Sequence, residues 1–162
     1  MLDKKILIEL QEYIESNLNV IEVFEELQSI DYSLKEELIE IEIDDFINKH
    51  RKPTMRELLF TYIDRKEVRD PEVYKKAGID RKHFSKIRSN PDYHPKKNTV
   101  ISLALALELN LDETDEFLES AGFSLSDSDT SDLIIRYFIQ KNKYDLDDVN
   151  EALISFYRKP IT

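Results

Sequence analysis

The segment Asp70-Pro71-Glu72-Val73-Tyr74-Lys75-Lys76-Ala77-Gly78-Ile79-Asp80-Arg81-Lys82-His83-Phe84-Ser85-Lys86-Ile87-Arg88-Ser89 reads as two short helices joined at a glycine. Counting Asp70 as the first position, apolar residues fall at four (Val73), eight (Ala77), ten (Ile79), fifteen (Phe84) and eighteen (Ile87). Two helices that share one buried seam need that spacing. Gly78 sits at nine, where a tight left-handed turn is cheapest for a residue without a Cβ. Asp70 and Asp80 are expected as N-caps, with Pro71 at the first helical position. With Phe84 and Ile87 turned inward, Arg81, Lys82, Ser85, Lys86 and Arg88 turn outward. This is the spacing of a helix-turn-helix, and the outward residue types hold phosphates and read guanine edges.

Working outward, Thr54 with Glu57 forms a capping box that opens a helix through Leu58, Leu59, Tyr62 and Ile63. His50-Arg51-Lys52-Pro53 marks a boundary, because the residue before a proline avoids the helical region. Downstream, helices are predicted over about 98–109 and 112–121, with Gly122 at the stop. Two more are predicted, from about 131 to 141 ending at Asn142, and from Leu146, entered at Asp145, to about Tyr157. Upstream, Ile6, Leu7, Leu10, Tyr13 and Ile14 give one amphipathic helix, and Val20, Val23, Phe24 and Leu27 a second. Ser33 with Glu36 reads as a capping box opening a third, through Leu34, Leu38, Ile41 and Ile47. Ile39 to Ile43 alternates with period two, so a short strand is an alternative there. Helix is preferred because Glu, Leu and Lys dominate. The expected class is all-α, a helix-turn-helix bundle with extra N-terminal and C-terminal helices. Its predicted parts are an acidic N-terminal helical extension (1–52), the helix-turn-helix domain (53–124) and a C-terminal helical pair packed on it (125–162).

Charge sharpens the expectation. The 162 residues hold 34 acids and 23 bases, a net charge of -11. Residues 1–50 carry -10 and residues 99–162 carry -8, whereas residues 65–98 carry +6. The acidic total argues against indiscriminate polyanion binding, and the basic centre coincides with the helix-turn-helix spacing. There is no Cys, which excludes a thiol nucleophile and Cys-ligated metal sites, and there are only two Gly, which excludes phosphate-cradling glycine loops. No run of about 18 apolar residues occurs. A cytoplasmic protein without membrane association is expected.

Ala77 to Ile87, followed by Pro95 and by Thr99-Val100-Ile101-Ser102-Leu103-Ala104-Leu105-Ala106-Leu107-Glu108-Leu109-Asn110-Leu111-Asp112-Glu113, resembles the Cro- and λ-repressor-type, or xenobiotic-response-element, family of DNA-binding domains over about residues 54–122. The resemblance implies a five-helix domain that places a helix in the major groove, usually as a dimer. The sequence departs from the family at Tyr74, where Ala or Gly is usual, at Asp70, where Gln is frequent, and at Asn90, where Gly is common. Residues 54–156 are also similar to the C-terminal segment of certain bacterial macro-domain proteins. The 50 residues ahead of that match are helical in pattern and cannot build a macro-domain sheet, so its ADP-ribose chemistry is not implied.

His50, His83 and His94 lack metal-ligand spacing, and Asp127, Asp129 and Asp132 lack the turning Gly and distal Glu of a calcium loop. Neither a catalytic constellation nor a cofactor or metal site is expected, and the chain reads as a non-enzymatic transcriptional regulator. Arg81, Lys82, Ser85 and Lys86 are expected to approach bases, with His83 an edge contact, while Arg69, Arg88, Lys96 and Lys97 hold phosphates. The expected partners are double-stranded DNA, a second copy in a homodimer, and a protein bound through the acidic N-terminal helices. The alternative is a protein-interaction module, adaptor-like, antitoxin-like or anti-defence, that keeps the fold without DNA binding.

Overall fold

The computed structural model describes residues 3–17 and 32–162, and among these every regular element is a helix. The period-two stretch Ile39 to Ile43 is helical, in keeping with its Glu- and Leu-rich composition. The chain divides into two compact units, Met1–Arg51 and Lys52–Thr162. In the first, α1 spans Lys4–Asn17 and α2 spans Tyr32–His50. The predicted helix over Val20, Val23, Phe24 and Leu27 lies outside the described residues. Ser33 does not begin α2 as a cap, since Tyr32 is already helical. Among the described side chains of this unit Ile39 is buried, whereas Leu34, Leu38, Ile41, Ile43 and Phe46 are exposed.

The second unit contains α3 (Met55–Lys66), α4 (Asp70–Lys76), α5 (Arg81–Ser89), α6 (Lys97–Ala106), α7 (Leu111–Ser120), α8 (Thr130–Gln140) and α9 (Leu146–Ser155). Helix α6 is its centre. From Val100 to Leu107 every residue is buried, which is what a helix apolar on all sides requires. It packs against α4, α7 and α9. Leu125, Ile135, Ile139, Val149, Leu153 and Ile161 join the same core, so residues 125–162 share it with the helices before them.

Local chemistry sets the helix ends. Thr54 accepts from the Glu57 N–H at 3.2 Å while Glu57 Oε2 accepts from the Thr54 N–H at 3.0 Å, the reciprocal capping box expected there. Asn110 and Glu113 repeat it at the start of α7, and Asp80, Asp129 and Asp145 cap α5, α8 and α9. Asp70 is not a cap. The Arg69 carbonyl already accepts from Val73 N–H, so Asp70 lies inside α4 and Pro71 at its second position. Gly78 turns the chain at φ +65, between Ala77 and Ile79, both buried.

Candidate functional site

Between α4 and α5 the buried side chains are Val73, Ala77, Ile79, Phe84 and Ile87, the positions that the apolar spacing marks. Tyr74 is accommodated at the edge of this seam. It is half-buried, and its ring lies against Phe84 with centroids 5.7 Å apart, tilted by 48°. An aromatic at that position is therefore part of the packing between α4 and α5. With Phe84 and Ile87 fixed in the core, helical geometry turns Arg81, Lys82, Ser85, Lys86 and Arg88 outward, and all five are exposed.

These five differ in what else they touch. The side chains of Arg81, Lys82 and Ser85 have no partner among the described residues. Asp80 spends its carboxylate on the cap, accepting from the His83 N–H at 2.6 Å, so it fixes the start of α5 beside Arg81 and Lys82. Lys86 holds its ammonium 4.4 Å from the centre of the Tyr93 ring. Tyr93 comes from the turn after α5, and its hydroxyl lies 2.9 Å from His83 Nε2. The expected edge contact at His83 is thus a half-buried ring already bonded within the protein.

The expected phosphate-holding residues separate more sharply. Arg88 is ion-paired to Asp70 and lies over Phe60, with its guanidinium carbon 5.2 Å from the ring centre. Arg56 approaches the same ring at 5.2 Å and donates to the Arg88 carbonyl at 2.5 Å. Arg69 pairs with Glu72 at 3.4 Å while remaining 85% exposed, a weak and easily exchanged contact. Lys96 is exposed at the start of α6 and has no partner among the described residues.

Lys97 has a different place from the one expected of a phosphate contact. Its Nζ lies 2.7 Å from Asp132 Oδ2, and that oxygen also accepts from the Ser126 N–H at 2.8 Å. Asp132 is 5% exposed. A carboxylate taken out of water needs a cation and hydrogen-bond donors, and Lys97 is that cation, joining the start of α6 to α8. The cluster Asp127, Asp129 and Asp132 is accordingly structural: Asp127 pairs with Arg136, Asp129 caps α8, and Asp132 holds Lys97.

Tyr93, Phe60 and Asp132 were not visible to sequence reasoning as partners of the basic residues. The nearest signal was the position of Tyr93 in the loop Asn90 to Pro95. There the Tyr93 N–H donates to the Asn90 carbonyl at 3.1 Å and buried Pro95 anchors the chain, returning the ring to α5. Elsewhere, an open cleft of about 310 Å³ is lined by Lys76, Leu105, Glu108, Asn142, Tyr144 and Leu146. Burial, then Glu108 and Glu113, pushes the Tyr144 phenol above its ordinary range.

Comparison with protein-family models, with curated proteins and with solved structures finds no match to this chain. Among the described residues no helix is long and apolar enough to cross a membrane.

Proposed function

We propose that residues 52–162 bind double-stranded DNA sequence-selectively, as part of a non-enzymatic regulator, with α5 in the major groove. The observation that carries this reading is the exposed, unpaired set Arg81, Lys82 and Ser85 on the first turns of a helix whose opposite face is locked in the core. A readout helix needs both properties: side chains free to bond base edges, and a backbone that cannot shift under them. Arg81 supplies the fork that fits guanine O6 and N7, Lys82 and Lys86 reach toward base edges beside it, and Lys96 supplies charge for the phosphates. Arg69, loosely held by Glu72, can join Lys96.

Selection of bound duplexes from a random library tests this. Enrichment of a defined sequence supports the reading, and a recovered pool as random as the input defeats it. Palindromic sites one helical turn apart would add that two copies bind together.

One observation favours a second activity beside the first. Leu34, Leu38, Ile41, Ile43 and Phe46 of α2 are 42–65% exposed on a helix dense in Glu and Asp. Such a surface suits a partner that is apolar with basic flanks, and would give the regulator a protein input. Loss of a copurifying basic protein on Ile41→Glu would support it. Identical partners for wild type and variant would set it aside.

A further inference from the structure

We infer that Tyr93 is a positioning residue for DNA readout: it holds His83 and Lys86 of α5 in one arrangement and so sets sequence selectivity without touching a base. The inference rests on the DNA-binding reading above and adds a residue outside α5 to it.

His83 and Lys86 are three residues apart and therefore lie on one side of α5. Tyr93 meets both. Its hydroxyl is 2.9 Å from His83 Nε2, the two rings stand edge to face at 78°, and the Lys86 ammonium sits 4.4 Å from the centre of the Tyr93 ring. The loop that delivers the ring is itself fixed. The Asp92 N–H donates to Asn90 Oδ1 at 3.0 Å, the Tyr93 N–H donates to the Asn90 carbonyl at 3.1 Å, and Pro95 is buried.

A free lysine has many rotamers and discriminates poorly between bases and phosphates, since it is a flexible point charge. Seating its ammonium on an aromatic face removes part of that freedom before DNA arrives. Lys86 then meets one edge of the groove, while Arg81, Lys82 and Ser85 keep their full reach. Removing the ring therefore lowers the preference for the best duplex over a scrambled one. Affinity for the scrambled duplex stays as it was, because Lys86 keeps its charge.

The test is a double-mutant cycle on the full-length chain, pairing Tyr93→Leu with Lys86→Met. The probes are a duplex enriched from the random library and a scrambled duplex of the same composition. Tyr93→Leu is expected to cut the ratio of the two affinities by about two- to fivefold, the scale of an exposed cation–aromatic contact. The same change made in the Lys86→Met background is expected to do little. A second cycle, Tyr93→Phe with His83→Ala, keeps the ring under Lys86 and removes only the hydroxyl contact, so it remains informative if Tyr93→Leu folds poorly. Additive effects in both cycles, or an equal loss on both duplexes, overturn the inference while leaving DNA binding intact. A wild-type chain that enriches no duplex removes the DNA reading and this inference with it.

Discussion

Arg88, near the end of α5, is ion-paired to Asp70, the first residue of α4, and this pair ties the two helices together at the edge of the basic surface. It also neutralises the carboxylate that would otherwise repel a phosphate there, at the cost of occupying the arginine. Asp70→Asn should release Arg88. Both side chains are partly exposed, so the loss of stability should stay within about 1 kcal/mol. Duplex affinity at low salt should rise, and the slope of log affinity against log salt should steepen by about one phosphate contact. Paired urea melts and anisotropy titrations check the two effects, and an unchanged slope would place Arg88 away from the DNA.

Lys97 and Asp132 act in the opposite sense. Asp132 is buried and holds Lys97 Nζ at 2.7 Å, so Asp132→Ala leaves an uncompensated ammonium and a bare Ser126 N–H. A destabilisation of about 2–4 kcal/mol is expected in denaturant melts. Lys97→Met should also destabilise, yet leave the salt slope of DNA binding unchanged. A flattened slope would return Lys97 to the phosphate-holding set.

Gly78 has φ +65, and a Cβ there would meet Leu146 Cδ2 at 3.3 Å and Thr162 Cγ2 at 3.5 Å. Gly122 has φ +81 with nothing near. Both Gly→Ala changes carry the left-handed penalty of about 1–2 kcal/mol. Gly78→Ala should cost more than Gly122→Ala, because its neighbours must also give way. Melting of the two variants side by side tests the order.

Tyr62 has its phenol pushed up to about 12, first by burial, then by Glu116 and Glu113, with Arg65 opposing. The folded state thus keeps this proton at pH values where the unfolded chain has released it. Between pH 10 and 12 the unfolded state binds fewer protons, and stability falls as pH rises. Denaturation measured across that window should show a decline in wild type that is shallower in Tyr62→Phe.

The helices were legible because apolar spacing and caps are local. Thr54 with Glu57, Asp80, Asp145 and the seam from Val73 to Ile87 all belong to patterns a few residues long. The errors at Asp70 and Ser33 are shifts of helix starts by one and two residues, where a cap and a first-turn residue have the same chemistry. The fate of the basic residues was less legible. Arg88 meets Asp70 and Lys97 meets Asp132 across 18 and 35 residues, so which cations remain for a ligand depends on tertiary placement. Arg81, Lys82 and Ser85 could be read correctly as outward because Phe84 and Ile87 on their own helix fix its rotation.

The most direct measurement is a fluorescence-anisotropy titration of the full chain against labelled duplexes over a range of salt. Saturable binding at about 50 mM salt is expected, weakening steadily as salt rises. Arg81→Ala should cost roughly 1–3 kcal/mol on the preferred duplex and blunt its advantage over a scrambled one. Absence of binding at tens of micromolar protein, even at about 50 mM salt where phosphate contacts are strongest, would contradict the proposal that α5 reads DNA.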